Sequence, residues 1–249
     1  MAPFIDSPKN PRVKAWQALR RRSERDRTGT FLIEGQREVE RALSHLDVVE
    51  VIVTDEAGDV PWPSPTLVSD RVFRQITVRQ HPDGCAAVVR TPDASLALFT
   101  APGGLVLIGD GIEKPGNIGA MLRSADAFGA AFIGSSLHTD IVNPNVVRAS
   151  QGSLFAGKIA VVPRAEAITW SEQNTAVIIA VPEDGEPLWE VDLRGPTSVV
   201  VGSEHDGVDR QWMDHGRAVS IPTHGTADSL NASVAAAVFL AEATRQRST

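Results

Sequence analysis

The amino-acid sequence predicts an α/β protein made of two parts. From residue 105 onward, short apolar runs alternate with stretches of helical spacing, which is typical of a parallel sheet covered by helices on both faces. A smaller α/β unit precedes this region, and the turn-rich segment 91–104 lies between the two. We therefore predict an amino-terminal domain at 1–95, a linker at 96–104 and a carboxyl-terminal domain at 105–249.

Composition narrows the classes of protein to which the chain can belong. Its 249 residues, 42% hydrophobic and 22% charged, suffice for a sizeable core. The single cysteine, Cys85, excludes an internal disulfide, and without a cluster of Cys or His we expect no metal site. No apolar run approaches the ~20 residues that span a bilayer, and the first residues lack the apolar core of a signal peptide. These features predict a cytoplasmic protein.

Basic residues are concentrated near the amino terminus. The formal net charge is −7, yet residues 9 to 41 hold ten basic side chains against five acidic ones. Such asymmetry indicates a surface for a polyanion, although a solvated amphipathic helix would have the same composition.

The elements of the amino-terminal part follow from apolar spacing and turn residues. The pattern predicts one long helix ended by Thr28 and Gly29, two further helices and three strands. The predicted helices are 12–27, 36–43 and 71–76, and the predicted strands are 31–35, 48–54 and 85–89.

The same criteria place the elements of the carboxyl-terminal part. The predicted strands are 105–108, 131–134, 158–162, 176–181, 198–201 and 218–221. The predicted helices are 117–128, 145–151, 166–171, 209–215 and 229–245. Since ligands of such sheets bind outside the carboxyl ends of the strands, the loops that follow the strands are candidate sites.

The first candidate loop follows the strand at 105–108 and leads into Asn-Ile-Gly-Ala-Met-Leu-Arg (117–123). Asn117 is predicted as the N-cap of the next helix and Gly129 as its stop. Gly119 and Arg123, one turn apart, are predicted to share a face where a ligand approaches the backbone and a guanidinium binds a phosphate or oxyanion. A surface helix with a solvated arginine has the same pattern.

The second candidate loop follows the strand at 198–201. Gly202 would let a ligand lie against the backbone, and Glu204 would project at the mouth of the site. Taken alone, Glu204 is better explained as a capping acid before the predicted helix at 209–215. His205 would serve as a general base or be merely exposed.

The third candidate loop follows the last strand and carries Ile-Pro-Thr at 221–223. Asp228 or Ser229 is predicted to cap the final helix. That helix has an apolar stripe with small residues around it, which predicts a packing or dimer face. The stripe consists of Leu230, Val234, Val238 and Ala241.

Together the three loops resemble, in order and spacing, the three motifs of the SpoU/TrmH family of RNA methyltransferases, within the SPOUT superfamily. The matching segments are Asn-Ile-Gly-Ala-Met-Leu-Arg (117–123), Val-Val-Gly-Ser-Glu-x-x-Gly (200–207) and Ile-Pro-Thr…Ser-Leu-Asn-Ala-Ser (221–233). The segment 10–35 resembles the L30e-like RNA-binding domain that many rRNA-acting members carry in front. Within the family the chain is most similar to the actinobacterial 23S rRNA and thiopeptide-resistance type. His205 departs from the pattern, because many members have glycine there.

The resemblance implies that S-adenosylmethionine donates a methyl group to a ribose 2′-hydroxyl of RNA, with 23S rRNA as the expected substrate. It also implies a deep trefoil knot in the carboxyl-terminal domain and a homodimer formed through that domain. Two alternatives remain open: a tRNA 2′-O-methyltransferase, and a catalytically silent RNA-binding or ribosome-assembly protein.

Site residues are carried over position by position from the resemblance. The implied cofactor contacts are Ala180, Gly202, Ser203, Glu204, Ile221, Pro222, Thr223 and Leu230. The implied catalytic residues are Arg123, Asn117, Glu204, Ser229 and Asn231. RNA contacts are expected at Arg12, Lys14, Arg20, Arg21, Arg22, Arg37 and Arg148.

The chemistry of these side chains favours the ribose over the base as the methyl acceptor. Because arginine is protonated at ordinary pH, we expect Arg123 to hold a phosphate and stabilise a developing 2′-alkoxide, with Asn117 and Glu204 orienting it. Enzymes that act on a base commonly stack it between aromatic rings, and the three loops carry none.

Overall fold

The computed structural model describes residues 4–57, 62, 64–226 and 229–248. The chain forms two compact units. Unit 1 comprises Met1–Pro92 and Val142–Phe155, and unit 2 comprises Asp93–Ile141 and Ala156–Thr249. The segment 142–155 therefore packs with amino-terminal residues, although the sequence pattern groups it with the carboxyl-terminal part. Among the described residues, none of the helices combines the length and apolar character needed to cross a bilayer.

Unit 1 is built on a mixed sheet with helices packed against it. Its elements before residue 93 are β1 (Phe4–Ile5), α1 (Pro11–Ala18), α2 (Arg22–Thr28), β2 (Thr30–Glu34), α3 (Gln36–His45), β3 (Val48–Val53), β4 (Thr66–Val68), α4 (Asp70–Ile76) and β5 (Cys85–Arg90). The strand order is β1-β4-β3-β5-β2, with β5 antiparallel to both of its neighbours. Apolar side chains of α1 and α4, among them Trp16 and Phe73, are buried in one cluster with β3 and β5.

The predicted long helix at 12–27 is wrong, because the chain breaks it into α1 and α2. Arg21 is extended, with φ −88° and ψ 134°. The Arg25 guanidinium donates to the carbonyl oxygens of Leu19 at 2.8 Å and Arg20 at 2.9 Å. These bonds satisfy carbonyl groups that a continuous helix would have bonded internally. Gly29 ends α2 in the left-handed region, with φ 62°, as predicted.

Unit 2 is built on a parallel sheet. From residue 93 onward the chain forms β6 (Leu105–Asp110), α5 (Pro115–Ala127), β7 (Ala131–Ser135), α6 (Pro144–Ser150), α7 (Ser153–Ala156), β8 (Ile159–Val162), α8 (Arg164–Asn174), β9 (Ala176–Val181), β10 (Glu186–Pro187), β11 (Thr197–Val201), β12 (Arg217–Ser220) and α9 (Ala232–Arg247). Of these, α6 and most of α7 belong to unit 1. The seven strands run in the order β10-β12-β9-β11-β6-β7-β8, and every pairing is parallel.

The predicted α/β class with a parallel sheet is confirmed. All residues of β6 and β11 are buried, as expected for central strands covered on both faces. The carboxyl ends of β12, β9, β11 and β6 lie side by side at one edge, and α5 packs against α9. A knot in the path of the chain stays a prediction.

Three predicted features of the helices in unit 2 are wrong. Asn117 does not cap α5, which begins at Pro115 after Lys114, and proline is favoured at a first helical position. The final helix is capped by Asn231, whose side chain accepts from the Ser233 amide; Ser229 lies before it, and Asp228 lies outside the described residues. Instead of a helix at 209–215 there is a single 3-10 turn, Arg210–Trp212. Gly129 follows α5 with φ 67°, as predicted.

Candidate active site

A cavity of about 370 Å³ opens at the carboxyl ends of β9, β11 and β12. It is bordered by strand ends, by the loop 202–207 and by the start of α9. Of the eight predicted cofactor contacts, all but Pro222 line it: Ala180, Gly202, Ser203, Glu204, Ile221, Thr223 and Leu230. The strand ends therefore bring together residues that are up to fifty positions apart in the sequence.

Gly202 is required by the loop itself. A Cβ atom at this position would lie 2.0 Å from the carbonyl carbon and oxygen of Gly207. The close approach arises because Ser203 and Gly207 exchange backbone hydrogen bonds of 3.1 and 3.0 Å, which fold the loop back on itself. Glycine is therefore needed at position 202 for the fold of the loop itself, in addition to the predicted room for a ligand.

The apolar wall of the cavity was missed by the sequence analysis. Ala232, Ala235 and Phe239 of α9 line it together with Met213. The spacing of 232, 235 and 239 is that of one helix face and is the signal that could have revealed it. These residues give the cavity an apolar wall.

The Glu204 carboxylate accepts from three side chains, two at the start of α5 and one just before α9. Asn117 Nδ2 donates to its Oε1 at 2.9 Å, and Asn231 Nδ2 donates to the same oxygen. Asn231 also bonds the Oδ1 atom of Asn117, at 3.2 Å. Lys114 Nζ donates to Oε2. Glu204 is therefore not a helix cap, a role that Asp209 fills for the turn at 210–212.

These donors also set the charge of Glu204. The hydrogen bonds from Lys114 and then Asn117 hold the pKa of Glu204 below its usual value. With a side chain 24% exposed, the carboxylate remains in contact with solvent. It is therefore ionised at neutral pH and presents an acceptor at the cavity edge.

Arg123 lies apart from this network, so the expectation that Asn117 and Glu204 orient it is not met. It is exposed on α5, does not line the cavity, and makes no hydrogen bond or ion pair with the described residues. Gly119, one turn earlier, is buried, so the predicted approach of a ligand to the backbone there is wrong. Ser229, in contrast, lines the cavity beside Leu230.

An ion-pair network around the buried Asp110 anchors the far end of the loop. Asp110, 1% exposed at the end of β6, accepts from Ser135 Oγ at 2.7 Å and from Arg164 Nε at 2.9 Å. Its other oxygen accepts from the Asp209 amide at 3.2 Å, and Arg164 also pairs with the Asp209 carboxylate at 3.0 Å. Because the buried Asp110 carboxylate is paired with Arg164, the network fixes the chain just after the loop. Sequence analysis did not find it.

The predicted RNA contacts lie in unit 1 and fall into two classes. Arg12 pairs with Glu50, and Arg20 donates to the carbonyl oxygens of Gln75 and Thr77, so both stabilise the unit. The others are exposed and have at most local, solvent-exposed ion pairs. They are Lys14, Arg21, Arg22, Arg37 and Arg148. Among the described residues no His, Cys, Asp and Glu cluster is suited to a metal ion.

Comparison with known proteins decides the family. Residues 104–241 match the model of the SpoU rRNA methylase family, and residues 10–87 match an MRM3-like substrate binding domain. The chain belongs to the SpoU rRNA methylase family. The family predicted from the three loops is thereby confirmed.

Two 23S rRNA methyltransferases match this chain over nearly its whole length. The 23S rRNA (guanosine(2553)-2′-O)-methyltransferase RlmP of Bacillus subtilis is 33% identical over 95% of this chain and 97% of its own. The 23S rRNA (uridine(2479)-2′-O)-methyltransferase of Streptomyces viridochromogenes is 33% identical over 96% of this chain and 91% of its own.

Two crystal structures share the fold. One, of an RNA 2′-O ribose methyltransferase, is 38% identical with a TM-score of 0.87, and the match covers 99% of this chain and 100% of that one. The other is the SpoU methyltransferase AviRb of Streptomyces viridochromogenes in complex with AdoMet, 30% identical with a TM-score of 0.87 over 97% and 99% of the two chains.

Proposed function

We propose that this protein transfers a methyl group from S-adenosylmethionine to a ribose 2′-hydroxyl of 23S rRNA. The observation that carries the proposal is that the second and third family loops line one cavity and that Asn117 of the first loop bonds Glu204 at its edge. The chain also matches 23S rRNA 2′-O-methyltransferases over nearly its full length. Retained polar residues in those loops argue against a catalytically silent protein.

The cavity suits the cofactor. Its volume of about 370 Å³ lies within the ~300–1,000 Å³ of typical ligand pockets. Backbone groups of loop 202–207 offer hydrogen bonds, and the Ala232, Ala235 and Phe239 wall offers apolar contact. Ala180, Gly202, Ser203, Glu204, Ile221, Thr223 and Leu230 would hold the cofactor, with Pro222 as the eighth residue proposed from the family.

The residues around the cavity supply orientation and charge for the transfer. The bound cofactor provides an electrophilic methyl group. The Glu204 carboxylate, fixed by Asn117 and Asn231, accepts a hydrogen bond from a ribose hydroxyl and orients its oxygen toward the cavity. Ser229 provides a further hydroxyl at the cavity edge. Arg123, which has no other partner among the described residues, binds an RNA phosphate and stabilises the 2′-oxygen as its proton passes to solvent water.

Residues 1–95, which form most of unit 1, are proposed as the RNA-binding domain, with a linker at 96–104 and a methyltransferase domain at 105–249. Support comes from the match of residues 10–87 to a substrate binding domain and from the exposed cations Lys14, Arg21, Arg22 and Arg37. Arg148, in the segment of unit 1 that follows later in the chain, adds a further exposed cation. Arg12 and Arg20 contribute charge while holding the unit together. Action on rRNA would place the protein in the cytoplasm.

A homodimer through the carboxyl-terminal domain is also proposed. The apolar stripe predicted on the final helix does not enter the core of the chain: Val234 is 47% and Leu230 38% exposed. Val238 is partly buried and Ala241 exposed, so the face is open to a second copy. Sedimentation equilibrium measures the molecular mass of the assembly directly.

The proposed activity is tested with purified 23S rRNA and tRNA, each incubated with the protein and S-adenosylmethionine labelled in its methyl group. We expect label in 23S rRNA and none in tRNA, and digestion of the product should release a 2′-O-methylated nucleoside. Label confined to tRNA would contradict the proposed substrate, and no label in any RNA, with the cofactor bound, would indicate a silent RNA-binding protein.

A further inference from the structure

Glu204 stands between two cavities. Besides the cavity at the strand ends, a second one of about 250 Å³ lies on the other side of the loop. Its lining consists of Ile112, Glu113, Lys114, Asn117, Ser203, Glu204 and His205. Ser203, Glu204 and His205 line both cavities and therefore form the wall that separates them.

The two carboxylate oxygens of Glu204 have different partners. Both amide donors, Asn117 and Asn231, bond Oε1. Lys114 bonds Oε2 and lines only the second cavity. Without Lys114 the carboxylate would keep its hydrogen bonds on Oε1, and Oε2 would be free to turn, because Lys114 is its one partner among the described residues.

Lys114 also differs in charge from the other described residues that line the two cavities. Among the described residues that line the two cavities, it is the one Lys or Arg, whereas Glu113, Glu204 and Asp206 are acidic. The titratable groups around Glu204 are therefore Lys114 and Glu113 before α5, and His205 and Asp206 in its own loop; α9 contributes the neutral Asn231. Glu113 has a partner of its own in His138, at 3.1 Å.

We propose that Lys114 is a positioning residue for methyl transfer, which holds Glu204 in the wall between the two cavities through Oε2. The inference rests on the function proposed above. Lys114 is 71% exposed, so its contribution to folding is small and its effect is on the orientation of one carboxylate. The lowered pKa of Glu204, caused first by the Lys114 hydrogen bond, agrees with this contact.

The test compares Lys114→Met with Lys114→Arg, which retains a cation, and with Lys158→Met, which removes an exposed lysine of the same unit. We expect Lys114→Met to lower kcat on 23S rRNA at least tenfold while the Kd for S-adenosylmethionine stays within twofold. Lys114→Arg should recover at least a third of kcat, and Lys158→Met should leave it unchanged. A purely structural role would not give this split between kcat and Kd.

A second measurement does not depend on activity. In a ¹³C NMR titration, with the Glu204 signal assigned from Glu204→Gln, the Lys114→Met variant should show a higher Glu204 pKa than wild type. An unchanged pKa, or a kcat within twofold of wild type, would overturn the positioning role. If the wild-type protein methylates no RNA, the proposed function is wrong. A shifted Glu204 pKa would then show that Lys114 contacts Glu204, without a role in methyl transfer.

Discussion

The candidate site is held together by contacts between residues that are far apart in the sequence. Asn117 and Glu204 are 87 positions apart, and Lys114 and Glu204 are 90 apart. The motifs pointed to Asn117, Glu204 and Asn231, but nothing in them indicated Lys114 or the Asp110–Arg164 pair. Pairing of charged side chains depends on the three-dimensional course of the loops, which local spacing does not specify.

Arg123 provides the first test at the scale of a residue. Replacing it by alanine should lower kcat by about 10²–10³, the usual cost of losing a donor to a developing oxyanion. Because Arg123 lines neither cavity and is exposed, the Kd for S-adenosylmethionine and the Tm should stay close to wild type. Single-turnover methylation and calorimetry measure these quantities.

A matched control for Arg123 is Arg194→Ala, which removes another exposed arginine of the same unit, paired locally with Asp192. It should leave methylation unchanged. If Arg123→Ala retains activity within tenfold of wild type, Arg123 has no role in stabilising the alkoxide.

Glu242 gives a test that concerns stability. Arg245 donates to both of its oxygens, and this pairing above all lowers the pKa of Glu242 to about 2 from an ordinary 4.5. The folded protein therefore binds fewer protons than the unfolded chain at this site, so the contribution is full above pH 4.5 and is lost as pH falls toward 2. In the Glu242→Gln variant, the part of the acid-induced fall in Tm that arises from protonation of Glu242 should disappear.

Glu166→Gln serves as the control for Glu242, since Glu166 is exposed and has no ion pair among the described residues. Its Tm should follow wild type over the whole pH range. Identical acid profiles for wild type and Glu242→Gln would show that the Arg245 pair does not contribute to stability.

At the scale of elements, strands were easier to predict than helix ends. Apolar runs such as that of β6 were recognised, because a strand covered on both faces is apolar throughout. The break between α1 and α2 was not, since Arg25 bonds carbonyl oxygens of Leu19 and Arg20 that a polar, arginine-rich sequence does not single out. The segment 209–215 was predicted as a helix, but it forms only the single 3-10 turn at 210–212, capped by the Asp209 side chain.

The loop after β11 provides the test at the scale of an element. Gly202→Ala would place a Cβ atom 2.0 Å from the Gly207 backbone, so the two ends of the loop must separate. We expect the Kd for S-adenosylmethionine to rise at least tenfold, as measured by calorimetry. Gly195→Ala, where a Cβ would meet nothing within 4 Å, is the control and should bind normally. Normal binding by Gly202→Ala would exclude this loop from the cofactor site.

At the scale of the whole molecule, sequence order does not fully describe the units. The helix near 145–151 was predicted, but its packing with unit 1 was not. Arg41 donates to the Gln151 carbonyl oxygen, and buried Val146 and Val147 add apolar contact area. The pattern of a short helix shows which face is apolar and leaves open which surface covers it.

The charge distribution predicts how the affinity of the full chain for 23S rRNA depends on salt concentration. Neutralising four exposed cations of unit 1 should weaken 23S rRNA binding and reduce the magnitude of the slope of log K against log salt by up to about 3, because fewer counterions are released. The variant combines Lys14→Gln, Arg21→Gln, Arg22→Gln and Arg37→Gln. Filter binding at several salt concentrations measures the slope.

The control for the salt experiment removes four exposed cations of unit 2. It combines Lys158→Gln, Arg194→Gln, Arg210→Gln and Arg217→Gln. We expect a smaller change in slope for this variant. Equal changes for the two variants would mean that RNA responds to net charge alone and that unit 1 has no special part in binding.

The position of the methyl group in RNA tests the central claim most directly. A methylated 2′-oxygen cannot attack the neighbouring phosphate, so alkaline hydrolysis leaves that bond intact. After incubation of 23S rRNA with the protein and S-adenosylmethionine, we predict a gap in the hydrolysis ladder at one or a few nucleotides, absent when the cofactor is omitted. A complete ladder, together with a modified nucleoside whose added mass stays with the free base, would contradict ribose methylation.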